Sequence, residues 1–126
     1  MPQRPDPSAD LPAPGSPPPT ELVRDDLVVG DGDEAVSGTR VSVHYVGISW
    51  SDRQEFDASW ERGPFTFGLG AREVIDGWDQ GVEGMRVGGR RRLTIPPELA
   101  YGERGAGGVI APGETLVFVV DLLAVG

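Results

Sequence analysis

The chain has no cysteine and a single histidine, His44. The first absence excludes disulfides, thiol nucleophiles and thiolate metal sites. The second leaves little from which to build a histidine metal centre or a nucleophile–histidine triad. Positive charge is also scarce: 11 Lys+Arg face 20 Asp+Glu, a formal net charge of −9. A nucleic-acid binder needs a basic face to neutralise phosphates, and an anionic membrane surface repels this balance, so neither partner is expected. No stretch approaches the roughly 20 apolar residues of a membrane span. The opening segment Met1-Pro2-Gln3-Arg4-Pro5-Asp6 lacks the basic start and apolar run of a signal peptide, so a cytoplasmic location is expected. There is no P-loop, and the acidic residues match no calcium loop. Gly102, Gly105 and Gly107-Gly108 approximate a dinucleotide fingerprint but precede apolar Val109-Ile110 rather than a helix. No cofactor and no metal are expected.

Glycine (19) and proline (12) are abundant, and eight of the twelve prolines fall within residues 1–20. That segment, dominated by Pro, Ser, Ala and Asp, holds Leu11 as its one large aliphatic residue. It reads as a disordered Pro-rich tail, because it buries too little apolar surface to offset its ordering entropy. Residues 21–126 read as one domain. Leu22-Val23 and Leu27-Val28-Val29 are short strand signals, ended by the turn-forming Gly30-Asp31-Gly32-Asp33. Val41 to Val46 alternates, placing Val41, Val43 and Tyr45 on one face and Ser42, His44 and Val46 on the other. Ile48 to Glu55 reads as a polar connection in which Trp50 is exposed. Phe65-Thr66-Phe67, Arg90 to Ile95 and the long apolar run Thr115 to Val125 read as further strands, the last of them central. Arg90, Arg91 and Arg92 read as a solvated face with acidic neighbours. Val74, Trp78 and Val82 recur every four residues, which predicts one short helix over about Asp76–Met85, weakened by Gly77 and Gly81. The expected class is α+β, with an antiparallel sheet around one helix.

No pair of residues announces covalent chemistry. What stands out is a set of aromatic residues, Tyr45, Phe56, Phe65, Phe67, Trp78, Tyr101 and Phe118, on separate short segments. Either they form one core, or some of them line an apolar cleft with a few polar groups, the general form of a small-ligand site.

Taken in order, Val43-His44-Tyr45-Val46-Gly47, Phe56-Asp57-Ala58-Ser59, Pro64-Phe65-Thr66-Phe67, Val74-Ile75-Asp76-Gly77-Trp78-Asp79-Gln80-Gly81-Val82, Met85-Arg86-Val87-Gly88-Gly89, Leu93-Thr94-Ile95-Pro96-Pro97, Ala100-Tyr101-Gly102 and Leu116 to Leu123 resemble the FKBP family of peptidyl-prolyl cis–trans isomerases. The resemblance runs from about Glu21 onward. It implies a curved antiparallel sheet wrapped around the helix, with a pocket between them lined by Tyr45, Phe56, Asp57, Phe65, Val74, Ile75, Trp78, Tyr101, Val109, Ile110 and Phe118. Trp78 is the implied floor under a prolyl ring, and the Ile75 N–H and Tyr101 hydroxyl the implied donors to ligand carbonyls. Asp57, Tyr101, Phe56 and Trp78 are the implied catalytic set, with Asp57 acting on the twisting amide or orienting Tyr45.

Proline-containing polypeptides are the implied substrates and tacrolimus- or rapamycin-type macrolides the implied ligands, for a monomeric enzyme that assists folding. A Pro-peptide or macrolide binding module with little turnover is the alternative. His44, on the opposite strand face from Tyr45, is expected to be structural. The flap carries Ala106-Gly107 where many members of the family have His-Pro, and the connection after Ser59 is slightly shorter than usual, which leaves the role of Arg62 open.

Overall fold

The computed structural model describes residues 3–13, 15–107 and 109–126. Six strands make one antiparallel sheet: β1 (Val23–Val28), β2 (Arg40–Ser49), β3 (Glu55–Ala58), β4 (Phe65–Gly68), β5 (Arg90–Ile95) and β6 (Leu116–Val125). Their order is β1-β5-β6-β2-β3, and β4 also pairs with β2. The run from Thr115 onward is therefore central, as its continuous apolar pattern predicts. β3 and β4 share one edge of β2. Val46 and Gly47 face Ala58 and Asp57, whereas Arg40 to Val43 face Gly68 to Phe65. Between the two pairings the chain leaves the sheet, and the gap falls at Tyr45. There Ser59 replaces a strand partner: its N–H donates to the Tyr45 carbonyl at 2.9 Å, and its hydroxyl accepts the Tyr45 N–H at 2.7 Å.

The two apolar runs before Gly30 form one strand, not two, because Arg24, Asp25 and Asp26 between them pair with Leu93, Arg92 and Arg91 of β5. Charge on this edge strand discourages pairing with a second sheet. The polar connection after β2 is shorter than its sequence implies, since β2 runs on to Ser49 and β3 begins at Glu55. Trp50 is buried, not exposed. It is only 5% accessible and packs with Ile48 and Val117 on the sheet face away from the helix.

The helix α1 (Asp76–Val82) is shorter than predicted. It stops at Glu83 because Gly84 takes a positive φ of 89° and turns the chain. Val74 precedes the helix, so the buried stripe on α1 itself is Trp78 and Val82. Its two glycines are contact points as well as weak helix formers. A Cβ on Gly77 would stand 2.4 Å from the Ile95 side chain, and one on Gly81 would stand 2.7 Å from Leu93. The missing side chains let the helix backbone lie directly on β5. Val41, Val43, Phe67, Leu69, Leu93, Ile95, Leu116, Val120 and Leu122 complete the core beneath it.

Two of the three consecutive arginines take specific structural roles. Arg91 is nearly buried. It reaches under the helix to donate to the Gly81 and Glu83 carbonyls at 2.8 and 3.0 Å, and it pairs with Asp26 at 2.7 Å. It thus satisfies carbonyls left open at the helix C-terminus and ties them to the edge strand. Arg90 pairs with buried Asp121 through two bonds of 2.6 and 2.8 Å, and that carboxylate holds the Arg90 pKa above its usual value. Arg92 lies 3.4 Å from Asp25. The acidic partners anticipated for this stretch are present, but none of the three arginines is on a solvated face: even Arg90, the most open, has a side chain only 21% exposed.

Gly77→Ala is expected to lower stability by about 1–3 kcal/mol through overpacking against Ile95. Helix propensity alone predicts a gain of about 1 kcal/mol. Urea unfolding decides between the two, and a more stable variant would show that the close helix–sheet approach is not limiting.

Candidate functional site

Trp78 stands at the centre of an aromatic cluster. Its ring meets Tyr45 at 4.9 Å and 82°, Phe118 at 5.2 Å and 88°, Phe65 at 6.1 Å and 74°, and Phe67 at 5.6 Å and 56°. Edge-to-face contacts of this kind lock ring orientation as well as burying area. Phe56 adds a perpendicular contact to Phe118 at 5.4 Å. Gly47 makes that pair possible. It lies opposite Phe118 on β6, and a Cβ there would come within 2.6 Å of Phe118 and 2.8 Å of Phe56.

Above the Trp78 ring opens a cleft of about 220 Å³, lined by Tyr45, Phe56, Asp57, Phe65, Glu73, Val74, Ile75, Trp78, Tyr101 and Phe118. The rings come from β2, β3, β4, α1 and β6, with Tyr101 on the loop after β5. The floor is buried, whereas Phe65 and Tyr101 are 39% and 41% exposed and form the rim. Glu73 holds the loop before the helix by accepting the Gly68 N–H at 3.1 Å.

Polar groups gather at one side only. Asp57 Oδ2 accepts the Tyr45 hydroxyl at 2.6 Å, and Oδ1 accepts from Arg62 Nη1 at 3.0 Å and from the Ala58 N–H at 2.9 Å. Arg62 Nη2 also donates to the Tyr45 oxygen at 2.9 Å, closing a three-membered network. Burial, followed by the bond to Asp57, pushes the Tyr45 phenol up from its ordinary 10.0 to about 12. The network therefore holds a neutral hydroxyl beside a fixed carboxylate. No side chain is placed as an activated nucleophile, and no group of three or more His, Cys, Asp or Glu able to hold a metal occurs among the described residues. The arrangement suits holding an apolar ring and orienting a neighbouring amide.

The profile described as "FKBP-type peptidyl-prolyl cis-trans isomerase" matches residues 32–123. The chain belongs to that family. Among relatives, the "FK506-binding protein" of Streptomyces anulatus is 63% identical over 114 residues, covering 89% of this chain and 92% of that protein. The "Probable FK506-binding protein" of Corynebacterium glutamicum is 48% identical over 118 residues, covering 94% and 97%. The crystal structure of a peptidyl-prolyl cis-trans isomerase from Pseudomonas syringae superposes with a TM-score of 0.75 at 38% identity, over 83% of this chain and 75% of that one. The domain is thus an FKBP-type peptidyl-prolyl isomerase, with the expected antiparallel sheet and single short helix.

In this FKBP-type domain nine of the eleven expected pocket residues line the cleft. Val109 and Ile110 do not. Val109 is 59% exposed, and Ile110 is 6% exposed and packs into the core cluster that contains Trp78 and Phe118. The flap is closed at its base, where Ala106 and Ile110 exchange backbone bonds of 2.8 and 3.0 Å. Gly105 is required there: φ is 65°, and a Cβ would meet the Ile110 carbonyl at 2.2 Å. Gly108 lies outside the described residues. His44 points away from the cleft, stacked on Trp60 at 4.5 Å with its Nδ1 2.8 Å from the Ser59 hydroxyl. Sequence reasoning did not anticipate Glu73 in the lining or Arg62 in the Asp57 network. An arginine five residues after an acid in a turn carries no signal of its own until the turn is known.

Tyr45→Phe keeps the ring and removes two hydrogen bonds, so a loss of about 1 kcal/mol is expected near neutral pH. Between pH 10 and 12 the native phenol keeps a proton that the unfolded chain releases, so stability falls with rising pH through this group. The variant should show a shallower decline over that window in denaturant titrations.

Proposed function

We propose that the cleft accelerates rotation about X–Pro bonds by solvating the twisted amide better than the planar one, without covalent chemistry. The observation that carries this reading is the Trp78 floor, fixed by four aromatic neighbours and open on one side to Asp57 and Tyr101. Resonance stiffens the amide C–N bond and sets a barrier of about 18–20 kcal/mol. At a right-angle twist the resonance is lost, the carbonyl oxygen sheds negative charge and the nitrogen gains basicity. Water favours the more polar planar form, and a dry aromatic site does not. The site therefore binds the transition state preferentially.

Individual roles follow from position. Trp78, Phe65, Phe118 and Val74 enclose the prolyl ring, and Phe56 supports Phe118 and closes the side. Ile75 stands at the start of α1 with its carbonyl engaged by the Trp78 and Asp79 N–H groups, and it offers its own N–H to a substrate carbonyl. Tyr101, on the rim, offers a hydroxyl to the substrate backbone. Asp57 sets a negative charge beside the rotating carbonyl, disfavouring the planar form, in which that oxygen is most negative. The Tyr45 and Arg62 bonds keep the carboxylate in place. The same enclosure suits tacrolimus- and rapamycin-type macrolides that carry a proline-like ring. Clients are unfolded or exposed Pro-containing chains, and the enzyme acts on them as a cytoplasmic monomer assisting folding.

An NMR exchange assay on an X–Pro peptide tests this directly. Acceleration that tacrolimus abolishes is expected, whereas tacrolimus binding without acceleration would leave a binding module. Asp57→Ala should lower kcat/KM by about tenfold or more while changing tacrolimus affinity less, since an effect confined to the transition state appears in rate rather than in ligand binding. Unchanged catalytic efficiency would remove Asp57 from the mechanism. Trp78→Leu should weaken macrolide binding while retaining measurable isomerase activity.

A further inference from the structure

Both faces of the middle of the sheet are buried, yet the single helix covers only one. On the other face, strand register lines up three rows: Arg90–Asp121–His44, then Arg92–Val119–Val46, then Thr94–Val117–Ile48–Glu55. Val46, Val117 and Val119 in these rows are no more than 1% exposed. The cover is the Pro-rich segment. Composition alone leaves residues 1–20 disordered, but in the structure the described residues 3–13 and 15–19 cross this face and touch every row. Arg90 donates to the Gln3 carbonyl at 2.5 Å, and Arg92 donates to the Ala9 carbonyl at 2.7 Å. Arg4 pairs with Glu55. Leu11 packs on the cluster of Ile48, Trp50 and Val117. Beyond it, Arg53 donates to the Pro12 carbonyl at 2.8 Å, and the Trp50 indole N–H donates to the Ser16 carbonyl at 2.9 Å. The Arg53 guanidinium also lies over the Trp50 ring at 4.7 Å, which fixes both donors.

We infer that this outer face is a second peptide-binding surface, built for a Pro-rich main chain, and that the described residues 3–13 and 15–19 of the same chain are its ligand. The chemistry of the two sides matches. A Pro-rich segment lacks many N–H donors, and those of Ala9, Leu11 and Ser16 are satisfied within the segment by the Asp6, Ser8 and Ala13 carbonyls, so the Gln3, Ala9, Pro12 and Ser16 carbonyls are left to the face and few donors are stranded on burial. The face supplies the complement: three guanidinium groups and an indole N–H, donors that accept no bond in return. Four main-chain carbonyls are read without regard to side chain, and one aliphatic anchor, Leu11, sets the register. The surface is separate from the prolyl cleft, which opens on the helix side of the sheet. A fold with one short helix thereby gains a second covering layer.

The test uses the full chain and its Leu11→Asp variant. Exchange of the Trp50 indole proton with solvent should be at least about tenfold faster in the variant, because the local opening that exposes it loses its apolar anchor. Amide signals of Ile48, Val117 and Arg92 should move, while those of Val41 and Val43 under the helix stay in place and report an intact fold. Isomerase activity on an X–Pro peptide should be unchanged. Adding a synthetic peptide of residues 3–19 to the variant should restore the wild-type Trp50 signal, and the same peptide carrying Leu11→Asp should not. Equal Trp50 exchange in the two chains would overturn the inference, as would a peptide that shifts Trp78 and Tyr101 instead of Trp50, since the segment would then be a ligand of the catalytic cleft.

Discussion

The distance between the helix and the sheet is set by two glycines. Gly77 and Gly81 lie over Ile95 and Leu93 with no room for a Cβ, and Trp78 sits between them in sequence. Its indole therefore reaches the sheet at the depth where Tyr45, Phe67 and Phe118 can meet it edge-on. A helix standing further off would lift the floor of the cleft away from its walls. The cost is low helix propensity in a helix of only seven residues. Tertiary contacts offset it: Arg91 satisfies two carbonyls at the C-terminal end, and Trp78 and Val82 are buried against the sheet.

The same economy applies to the polar side of the cleft. A buried or half-buried carboxylate is costly unless its oxygens are bonded. Asp57 has donors on both, from Tyr45, Arg62 and the Ala58 N–H. The break between β3 and β4 makes this possible, because the connection from Ser59 to Pro64 carries Arg62 back over Tyr45. The polar side of the cleft depends on an interrupted strand edge, as its floor depends on the aromatic residues.

Much of this was legible in the sequence. The alternation from Val41 to Tyr45 marks the helix-facing side of β2, and the long apolar run after Thr115 marks the strand with neighbours on both sides. The ordered aromatic segments, read by resemblance, placed most of the cleft. What was not legible depends on partners distant in the chain. Trp50 looks solvent-exposed among Ser, Asp and Arg, and its burial follows from Val117 and from Leu11 in a segment whose composition argues for disorder. Arg91 resembles its two neighbours in sequence, and only the register of β1 and the position of the helix end separate it from them. The helix ends three residues before the expected Met85: Gly84 reads as part of its stop, but only the positive φ shows that it already turns the chain after Val82. Ile110 was expected at the ligand surface, but it anchors the flap to the core.

The placement of β6 has a consequence for how the protein is made. Its partners β2 and β5 both precede it, and its pairing with β2 joins residues about 75 positions apart, from Ser49↔Leu116 to Val41↔Val125. While the chain is being synthesised, neither half of the sheet can close until residues 116–125 are available, and Phe118 is among them. The nascent chain thus has no complete cleft until those residues emerge. Assembly that waits on such long-range pairing is slow and leaves apolar strands open in the interval. During that interval the chain is itself an unfolded, proline-containing polypeptide.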